Sequence, residues 1–436
     1  MFALIQAGGA GTRLKDIAGD LPKPMVPIAG KPILQWQVES LARSGVYSLI
    51  IVCPKTSTAI QDHFGDGSKY GVKIDYIVEQ EPLGTAGALY YAAKKIKGDF
   101  FLVMGDLMLD VDFDRFYKAH KKHDAIITTF AHPNSHPYDS DVLLVNAEDK
   151  VLHILSKKEP REDFYENLTN AGLYVVSHDL LETFLGMDAP IKMDFEKELL
   201  APSIASDGVY AYRSSEYVKD CGTPDRYEAV GRDTVNGVVT SRNLSRPQKA
   251  IFLDRDGVIN VFGNFVTSPD LLHIKEDAPG ALKRINESRY LAICITNQPV
   301  VARGETSFAT LQQIHFKMQD LLGEQGAYLN GLYFCPHHPD SGYEGEVPSL
   351  KIDCDCRKPK IGMLLKAKKD YNIDLKASWF VGDTHQDVQT GINAGCRTIL
   401  ITTGDPNPAA KYADAKPDYV CKDLAEAVDL ILSLEQ

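Results

Sequence analysis

The chain has 436 residues, of which 44% are hydrophobic and 24% are charged. That length predicts two or more domains, each able to bury a core of its own. A formal net charge of -12 argues against general binding to nucleic acid or to a membrane surface, although local lysines and arginines can still bind phosphorylated substrates.

The N-terminus and the cysteine content predict a soluble, cytoplasmic protein. The first residues show no basic leader or cleavage site, and no apolar run approaches the roughly 20 residues that a membrane span needs. The eight cysteines are spread too widely for a secreted disulfide scaffold.

A short apolar strand, predicted over residues 2–7, runs into a glycine-rich loop. The loop reads GGAGTRL over residues 8–14. Glycines after a strand let backbone N–H groups approach a phosphate closely, but such a loop is weak evidence by itself. It has neither the Gly-Lys-Ser/Thr of a Walker loop nor the glycine spacing of a dinucleotide fingerprint.

Lys23 lies between two prolines in the segment LPKPM, residues 21–25. Prolines hold the backbone in a stiff, extended conformation. We therefore expect Lys23 to project a fixed cation toward bound phosphates.

These motifs, together with four later segments, resemble the sugar-1-phosphate nucleotidylyltransferases. The later segments are VEQEPLGTAG at residues 78–87, VMGD at 103–106, NAGLY at 170–174 and VKDCGTP at 218–224. The resemblance implies a Rossmann-like domain of the glycosyltransferase-A type. Such a domain joins a sugar 1-phosphate to a nucleoside triphosphate and releases pyrophosphate.

The resemblance also implies roles for individual residues. Asp106 and Asp220 would hold Mg²⁺, a hard cation that prefers carboxylate and phosphate oxygens. Arg13 would grip the β- and γ-phosphates, and Lys23 would stabilise charge on the α-phosphate. Gln80 would offer donors and an acceptor to a base edge. Further nucleotide and sugar contacts would come from Gly8, Gly9, Gly11, Thr12, Gly84, Thr85, Lys158, Asn170 and Gly172.

Three details of the first half stay open or unassigned. Lys158 is the best match to a family Glu-Lys pair, but the register can shift by one residue within SKKEP at 156–160. Cys221 stands where an apolar residue is usual, so we expect a packed side chain rather than a reactive thiol. Residues 131–141 contain two histidines and two prolines, and we interpret them as a loop near the sugar rather than a metal site.

Residues 236–249 are polar, contain Pro247 and are typical of a linker. We therefore predict one domain over residues 1–235 and a second over residues 250–436. Both are expected to belong to the α/β class.

The second half opens with an apolar run that carries two aspartates at its end. Ile251, Phe252 and Leu253 are predicted to form a buried strand, with Asp254 and Asp256 at the edge where open α/β sheets place their chemistry. Carboxylates this close repel unless a cation or a shared proton relieves them. The alternative is a simple Asp-x-Asp-Gly turn.

Later segments of this half also end in polar or charged side chains: Thr296 and Asn297, Lys358, and Asp383. In that order they resemble the four motifs of the haloacid-dehalogenase-like phosphatases, and the resemblance spans residues 250–436. It implies a Rossmannoid domain that hydrolyses phosphate monoesters.

In such a phosphatase Asp254 would attack phosphorus and form an aspartyl-phosphate. Asp256 would protonate the leaving alkoxide and then activate water. Mg²⁺ would be held by the side chains of Asp254 and Asp383 and by the backbone carbonyl of Asp256. The phosphoryl group would contact Thr296, Asn297 and Lys358, and Asp387 would order the site.

A cluster of soft ligands predicts a structural zinc site. Cys335, His337, Cys354 and Cys356 form two close pairs separated by a loop, which suits tetrahedral Zn²⁺ without an open position. His338 is an alternative to His337, although the Cys-x-His spacing favours the latter. Because Cys356 directly precedes the cationic segment, zinc would pin that segment at the active site.

The motifs DRDGVIN, TNQ, Cys-x-His…Cys-x-Cys and CRKPKIGM narrow the resemblance. They are similar to a subgroup that contains D-glycero-D-manno-heptose 1,7-bisphosphate 7-phosphatases and histidinol-phosphate phosphatases. Pro299 and Val300 replace the Ser-Gly that is usual in this subgroup. Arg303 keeps its register as a contact to the substrate phosphate, and Arg357 is another candidate.

The two resemblances together imply consecutive steps in the synthesis of a nucleotide-activated heptose, used for lipopolysaccharide or S-layer glycans. Heptose 1,7-bisphosphate would lose its C7 phosphate, and heptose 1-phosphate would then react with a nucleoside triphosphate, with GTP favoured over ATP, CTP, UTP or dTTP. Mg²⁺ would serve both domains, and a homo-oligomer is compatible with the sequence. The alternatives are a hexose-1-phosphate nucleotidylyltransferase fused to a different phosphatase, and a phosphatase regulated by a non-catalytic nucleotide-sugar sensor.

Overall fold

The computed structural model describes residues 1–8, 15–19, 21–55, 58–161, 164–263, 265–404 and 412–435. The chain forms two compact α/β units. Unit 1 comprises residues 1–132, 143–155 and 170–243, and unit 2 comprises residues 133–142, 156–169 and 244–436. The expected two-domain α/β class is confirmed, whereas the boundaries at residues 235 and 250 remain a prediction.

The first half of the described chain alternates short strands and helices. Its strands are β1 (Phe2–Gln6), β2 (Pro27–Ile28), β3 (Lys31–Pro32), β4 (Ser48–Pro54), β5 (Lys73–Glu79), β6 (Phe100–Met104), β7 (Leu107–Asp110), β8 (Ile127–His132), β9 (Val142–Val145), β10 (Val151–Leu155), β11 (Thr169–Val176), β12 (Val209–Arg213) and β13 (Tyr217–Asp220). Its α-helices are α1 (Lys15–Ala18), α2 (Ile33–Arg43), α3 (Ala59–Phe64), α4 (Leu89–Ala92), α5 (Phe113–His123), α6 (Asp179–Leu185), α7 (Ala201–Ala205), α8 (Pro224–Val235) and α9 (Val238–Ser241).

Strand β1 lies inside a mixed sheet with the order β10-β9-β11-β6-β1-β4-β5, to which β8 and β12 are added through β11. Ala3, Leu4 and Ile5 are fully buried, which confirms the apolar strand predicted at the N-terminus. Strands β1 and β6 are parallel, with Gln6 opposite Met104. The residues that follow these two strands therefore lie at the same edge of the sheet.

A separate antiparallel ribbon of β7 and β13 brings a distant aspartate to that edge. Asp220 is paired with Leu107, and the backbone N–H of Cys221 donates to the carbonyl oxygen of Asp106 at 3.1 Å. Cys221 is fully buried, and burial raises the pKa of its thiol to about 12. This environment fits the packed, unreactive side chain that we expected.

The second half contains a second set of strands and helices in the described ranges. Its strands are β14 (Lys249–Leu253), β15 (Tyr290–Asn297), β16 (Gly331–Cys335), β17 (Trp379–Gly382), β18 (Arg397–Ile401) and β19 (Tyr419–Cys421). Its α-helices are α10 (Ala278–Asn286), α11 (Phe308–Glu324), α12 (Gly362–Tyr371), α13 (His385–Ala394) and α14 (Leu424–Ser433).

Strand β14 lies between β15 and β17 in a parallel sheet with the order β16-β15-β14-β17-β18-β19. Ile251, Phe252 and Leu253 are fully buried, which confirms the predicted strand. Ile251 and Leu253 pack in one core with α10, α11 and α14, while Phe252 packs in another with α12. With both faces covered, the sheet leaves the carboxyl ends of its central strands as the natural place for a site.

None of the helices within the described ranges is both long enough and apolar enough to cross a membrane.

Candidate active sites

Asp254 lies directly after β14, beside the ammonium group of Lys358. The backbone N–H of Asp254 donates to the carbonyl oxygen of Val381 at 3.1 Å, which anchors the aspartate between β14 and β17. Lys358 Nζ lies 2.9 Å from Asp254 Oδ1 and 2.6 Å from Asp387 Oδ1. Lys358 and Asp387 are buried, so the three charges are stabilised mainly by one another.

This burial shifts the ionisation of both partners. Desolvation raises the pKa of Asp254; the ammonium group of Lys358 opposes that shift, and the carboxylates of Asp387 and Asp256 add to it. Desolvation alone would lower the pKa of Lys358, but Asp254 and Asp387 raise it above its ordinary value. The lysine is therefore a permanent cation, and one cation does not balance the carboxylates around it.

Asp254, Asp383 and Asp387 each offer an oxygen to a cluster in which these atoms lie within 4.8 Å of one another. Two glycines leave room for it, because a Cβ atom at Gly257 or Gly404 would collide with the carboxylate of Asp383. Oxygen ligands with surplus negative charge fit a hard divalent cation such as Mg²⁺. Asp383 thus lies where the magnesium prediction requires it.

Asp387 divides its oxygens between the lysine and the start of α13. While Oδ1 pairs with Lys358, Oδ2 accepts from the hydroxyl of Thr384 at 2.6 Å and from its backbone N–H at 3.2 Å. The backbone N–H of Asp387 in turn donates to Thr384 Oγ1 at 3.3 Å, which completes a capping box on α13. They fit the ordering role predicted for Asp387.

Asp256 is held by a different network from Asp254. Its carboxylate accepts from Arg255 Nη2 at 2.8 and 3.0 Å, from Asn260 Nδ2 at 3.0 Å and from Gln298 Nε2 at 2.8 Å. Burial is the largest influence on Asp256 and raises its pKa, but Arg255 and the other donors outweigh it and lower the pKa. The pKa values of the two aspartates therefore shift in opposite directions, because their surroundings differ.

Four residues of this network were not predicted from the sequence: Arg255, Asn260, Gln298 and His315. Arg255 is fully buried, and its Nη1 lies 3.3 Å from Nε2 of His315 on α11. Burial lowers the pKa of His315 to about 3, so its ring is neutral and can accept from the guanidinium group. Arg255 and Gln298 adjoin predicted residues, which was a usable signal, whereas nothing local pointed to His315.

Thr296 and Asn297, at the end of β15, make different contacts. Asn297 Oδ1 accepts from the backbone N–H of Lys358 at 3.0 Å, and its Nδ2 donates to the Lys358 carbonyl at 3.3 Å. Thr296 Oγ1 accepts from Gln298 Nε2 at 2.9 Å. Asn297 therefore positions the backbone of Lys358, and the phosphoryl contacts of both Thr296 and Asn297 remain a prediction.

The four predicted zinc ligands converge in space. The sulfur atoms of Cys335, Cys354 and Cys356 lie 3.2–3.5 Å apart, and His337 Nδ1 lies 3.3 Å from Cys356 Sγ. The donor set of three sulfurs and one nitrogen fits a closed tetrahedral Zn²⁺ site. His338 accepts a backbone N–H at 3.2 Å and is not part of the cluster, so the geometry selects His337.

The two arginines predicted to bind substrate phosphate lie in this region of unit 2. Arg357 Nη1 donates to the carbonyl oxygen of His337 at 3.1 Å, which ties the cysteine cluster to the residue before Lys358. The guanidinium group of Arg303 lies 4.7 Å from the ring centres of Phe265 and Tyr343. Desolvation lowers the pKa of Arg357, and the positive charge of Arg303 lowers it as well.

In unit 1, Lys23 lies between the two aspartates predicted to hold magnesium. Its Nζ is 2.5 Å from Asp106 Oδ2 and 3.2 Å from Asp220 Oδ1. Arg226 also pairs with Asp220, at 2.8 Å. The fold thus brings together residues that are 83 and 197 positions apart, and two carboxylates that face one cation fit a divalent metal as well.

A cavity of about 430 Å³ adjoins this group, within the size range of small-molecule sites. Five residues predicted to bind nucleotide or metal line it: Gly8, Lys23, Gly84, Thr85 and Asp106. The other lining residues are Gln6, Pro24, Glu79, Pro82 and Met104.

From the predicted base-binding segment, Glu79 faces the cavity. Glu79 ends β5 and is buried, whereas the next residue, Gln80, is exposed. Gln80 lies just beyond the end of β5 and is not among the residues that line the cavity. The base contact of Gln80 remains a prediction, and Glu79 is a residue that strand alternation could have indicated.

Gly84 and Thr85 shape the cavity wall. Gly84 has a φ of +77°, and a Cβ atom there would collide with the carbonyl oxygen of Met193. Thr85 Oγ1 accepts from the N–H of Phe195 at 2.7 Å, and the Thr85 carbonyl accepts from Gln6 Nε2 at 3.0 Å. The threonine hydroxyl therefore holds the wall together.

The predicted sugar-binding strand is β11. Asn170 Nδ2 donates to Tyr174 Oη at 2.8 Å and to Glu196 Oε1 at 3.0 Å, and its Oδ1 accepts from Thr129 Oγ1 at 2.8 Å. Gly172 has a φ of +73°, which favours glycine. The amide of Asn170 is therefore engaged within the protein, and the sugar contacts of both residues remain a prediction.

Five further residues predicted to bind substrate belong to none of the clusters described above. Lys158 is exposed and belongs to the segment 156–169 of unit 2. The remaining four lie outside the described residues: Gly9, Gly11, Thr12 and Arg13.

Comparison with known proteins separates the two halves. Residues 2–237 match the nucleotidyl transferase family, and residues 355–427 match the HAD-hydrolase-like family. The D-glycero-beta-D-manno-heptose-1,7-bisphosphate 7-phosphatase of Pasteurella multocida is 38% identical over 43% of this chain and 99% of its own length. The mannose-1-phosphate guanylyltransferase of Mycobacterium tuberculosis is 30% identical over 56% of this chain and 67% of its own.

A solved structure is also similar to the second half. The D,D-heptose 1,7-bisphosphate phosphatase of B. bronchiseptica, complexed with magnesium and phosphate, shares 34% identity with this chain. The match covers 43% of this chain and 99% of the solved one, with a TM-score of 0.37.

Proposed function

We propose two consecutive reactions for this chain, which belongs to the nucleotidyl transferase family and carries a second domain related to the heptose-bisphosphate 7-phosphatases. The second domain removes the C7 phosphate of D-glycero-D-manno-heptose 1,7-bisphosphate. The first domain then joins heptose 1-phosphate to the nucleotidyl group of GTP, and pyrophosphate leaves.

One observation carries the proposal: each half has a lysine held between two aspartates at a sheet edge. Lys358 lies between Asp254 and Asp387, and Lys23 lies between Asp106 and Asp220. Two charged centres in one chain, related to a bisphosphatase and to a sugar-1-phosphate guanylyltransferase, support a pairing in which one product is the next substrate.

In the phosphatase reaction an oxygen of Asp254 attacks phosphorus, and the bond from phosphorus to the C7 oxygen breaks. Asp256 donates a proton to the departing alkoxide. In the second step Asp256 takes a proton from water as that water attacks phosphorus, and the bond from phosphorus to Asp254 breaks. The proton that Asp256 gives up in the first step leaves it as the carboxylate that accepts a proton in the second.

Charge neutralisation comes from Lys358 and from Mg²⁺, which Asp254 and Asp383 would hold and which would stabilise the attack of a carboxylate on a phosphate dianion. Zn²⁺ held by the three cysteines and His337 would serve only to fix the loop that carries Arg357 and Lys358. Arg303 and Arg357 supply positive charge for the second phosphate of the bisphosphate.

In the transferase reaction a phosphate oxygen of heptose 1-phosphate attacks the α-phosphorus of the triphosphate, and the bond to the bridging β-phosphate oxygen breaks. Lys23 neutralises charge that develops on the α-phosphate and on pyrophosphate. Mg²⁺ held by Asp106 and Asp220 would supply further neutralisation of the phosphates. Positioning of two anionic reactants is the main task of the site.

The test is a coupled assay. The protein is incubated with each anomer of heptose 1,7-bisphosphate, Mg²⁺ and each nucleoside triphosphate, and both phosphate and nucleotide-sugar are quantified. We expect phosphate release followed by GDP-heptose. Phosphate release by the wild-type chain without any nucleotide-sugar would contradict the pairing.

Two variants separate the steps. Asp254→Asn should block product formation from the bisphosphate while preserving synthesis from heptose 1-phosphate. Lys23→Met should release phosphate normally but lower nucleotide-sugar synthesis by about 100-fold or more. If Lys23→Met retained full synthesis, a residue other than Lys23 would neutralise the charge on the phosphates.

The mannose-1-phosphate guanylyltransferase relative makes a hexose 1-phosphate the second candidate substrate. Turnover of mannose 1-phosphate and heptose 1-phosphate in competition distinguishes the two. A preference for mannose 1-phosphate would leave the transfer reaction in place and remove the link to the heptose phosphatase.

A further inference from the structure

His315 is a polar side chain on the buried, otherwise apolar face of helix α11. The large side chains that share this face are those of Leu311, Ile314, Met318 and Leu322. The imidazole ring is buried, and its centre lies 5.3 Å from the centre of the Phe334 ring. A polar group in such surroundings is unfavourable unless it has a hydrogen-bond partner. The contacts of His315 therefore indicate what it does.

Arg255 connects His315 to Asp256. The side chain of Arg255 turns back toward the next residue, so that Nη2 donates to Oδ1 and Oδ2 of Asp256 at 2.8 and 3.0 Å, and Nε donates to Oδ1 at 3.2 Å. Nη1 lies 3.3 Å from Nε2 of His315. Because a guanidinium group has donors only, the ring nitrogen of His315 is the acceptor. Two residues thus hold one planar group from two sides.

A neutral acceptor suits the position of His315. Burial lowers the pKa of His315 to about 3, and the charge of Arg255 lowers it as well. A carboxylate in this place would compete with Asp256 for the guanidinium group, and a cation would repel that group. Histidine therefore fixes Arg255 without drawing its charge away from Asp256.

We propose that His315 is a positioning residue that acts through Arg255 to aim the carboxyl group of Asp256, an inference that rests on the proposed phosphatase reaction. Asp256 donates a proton to the leaving oxygen and later takes one from water, and both transfers depend on its orientation. Asp254 is held separately, by the backbone of Val381 and by Lys358. Loss of His315 should therefore impair proton transfer and spare the attack on phosphorus.

The substrate 4-nitrophenyl phosphate separates these two events. In its first step an oxygen of Asp254 attacks phosphorus, and 4-nitrophenolate leaves as a weakly basic anion that needs no proton from Asp256. In the second step water attacks the aspartyl-phosphate, gives a proton to Asp256 and releases inorganic phosphate. With Mg²⁺ and the full chain in excess, absorbance follows nitrophenolate and a fluorescent phosphate sensor follows free phosphate.

The decisive variant is His315→Phe, which removes the acceptor and keeps an aromatic ring. We expect nitrophenolate release within about 3-fold of the wild-type rate and phosphate release slower by about 10- to 100-fold. His315→Gln can again accept from the guanidinium group and should restore most of the phosphate release. Equal losses in the two steps of His315→Phe, or no loss in either, would overturn the inference.

Ile314→Val is the matched control, because Ile314 is buried on the same helix face and the substitution removes one methylene without touching a polar contact. The ratio of the two rates should stay as it is in the wild-type chain. Slow phosphate release in this variant, equal to that of His315→Phe, would show that the packing of α11 controls the second step and would contradict a specific role of His315.

Arg255→Lys tests the same link if His315→Phe fails to fold. An ammonium group keeps the charge but cannot reproduce the planar fork between Asp256 and His315. This variant should also release nitrophenolate readily and phosphate slowly, and a wild-type ratio of the two rates would overturn the inference. A wild-type chain that released neither product would count against the phosphatase reaction itself, whereas hydrolysis of the aryl ester without hydrolysis of heptose 1,7-bisphosphate would count only against the proposed substrate.

Discussion

At the scale of single residues, the lysines of the two sites share one electrostatic arrangement. Lys23 and Lys358 are both buried, and each ammonium group contacts two carboxylates. Removing one member of a buried ion pair leaves uncompensated charge, which costs far more than losing a surface pair. These lysines therefore contribute to the fold of each site as well as to its chemistry.

Substitution of Lys358 tests this double role. Lys358→Met should lower phosphatase kcat by about 100-fold or more, since the charge on the reacting groups is no longer balanced. It should also lower the free energy of unfolding by about 3–5 kcal/mol, because Asp254 and Asp387 would face each other without a cation. Steady-state kinetics and urea denaturation measure the two effects.

The control for this substitution is Lys360→Met, two positions along the chain. Lys360 pairs with Asp353 at the surface, 2.7 Å away, and its side chain is 44% exposed. Loss of this pair should change stability by less than about 1 kcal/mol and leave kcat unchanged. Equal effects of the two substitutions would show that burial of Lys358 is not what matters.

The residues that the sequence predicted are those whose signal is local. Asp254 and Asp383 follow apolar strands, and Lys23 lies between prolines. Each of them could therefore be recognised from the roughly ten residues around it in the sequence. His315 escaped notice because its contact with Arg255 joins residues 60 positions apart. Glu79 was missed although the alternation of β5 could have indicated that its side chain is buried.

At the scale of elements, the loop from β16 to α12 connects the cysteine cluster to the phosphatase site. Arg357 donates to the backbone carbonyl of His337, and the side-chain amide of Asn297 contacts both the N–H and the carbonyl oxygen of Lys358. The position of Lys358 is thus fixed from the cluster and from the end of β15. Disturbing the cluster should displace the lysine without touching it.

Cys354→Ala tests this connection. Removal of one of four ligands should abolish stoichiometric zinc binding and lower phosphatase activity by about 10- to 100-fold. Bound zinc is measured by mass spectrometry, and activity by phosphate release. Nucleotidyl transfer from heptose 1-phosphate should continue.

Cys396→Ala is the comparison, because Cys396 is buried in unit 2 outside the cluster. It should retain zinc and phosphatase activity. A zinc-free Cys354→Ala protein with full phosphatase activity would show that the cluster does not position the loop.

Elements were predictable from the sequence where one apolar run makes one strand, as in β1 and β14. The ribbon of β7 and β13 was not predictable in the same way. Its pairing sets Asp220 beside Asp106, although 114 positions separate them in the chain. Only the resemblance to a family indicated that the two aspartates act together, since no local pattern encodes a pairing over that distance.

At the scale of the whole molecule, each unit contains a buried neutral histidine. His120 in unit 1 is 1% exposed, and burial lowers its pKa to about 4. His315 in unit 2 is 4% exposed, and burial lowers its pKa to about 3. Both values lie below the 6.5 expected of an unfolded chain.

Acid should therefore destabilise both units. Between pH 6.5 and about 4, His120 is protonated in the unfolded chain but not in the folded one. The free energy of unfolding therefore falls as the pH falls through this range. The loss from this residue alone should reach about 3 kcal/mol. Urea denaturation at pH 7.5, 5.5 and 4.0 measures it.

His120→Gln should make the stability of unit 1 less dependent on pH in this window. The exposed His153 provides the control, and His153→Gln should leave the pH dependence as it is. If His120→Gln and the wild-type chain lost stability at the same rate, other groups would account for the acid sensitivity.

Unit 2 is built from three separate segments of the chain, which limits how this protein can be divided or recombined. The chain passes from one unit to the other five times, after residues 132, 142, 155, 169 and 243. Within unit 2 the backbone N–H of Asn167 donates to Gln319 Oε1 at 3.1 Å, and Gly323 packs against Pro137. A gene truncated in the segment 236–249 would still encode residues 133–142 and 156–169 but would lack their α11 partners. An exchange of phosphatase modules that preserves these contacts has to transplant both segments along with residues 244–436, as three separate insertions.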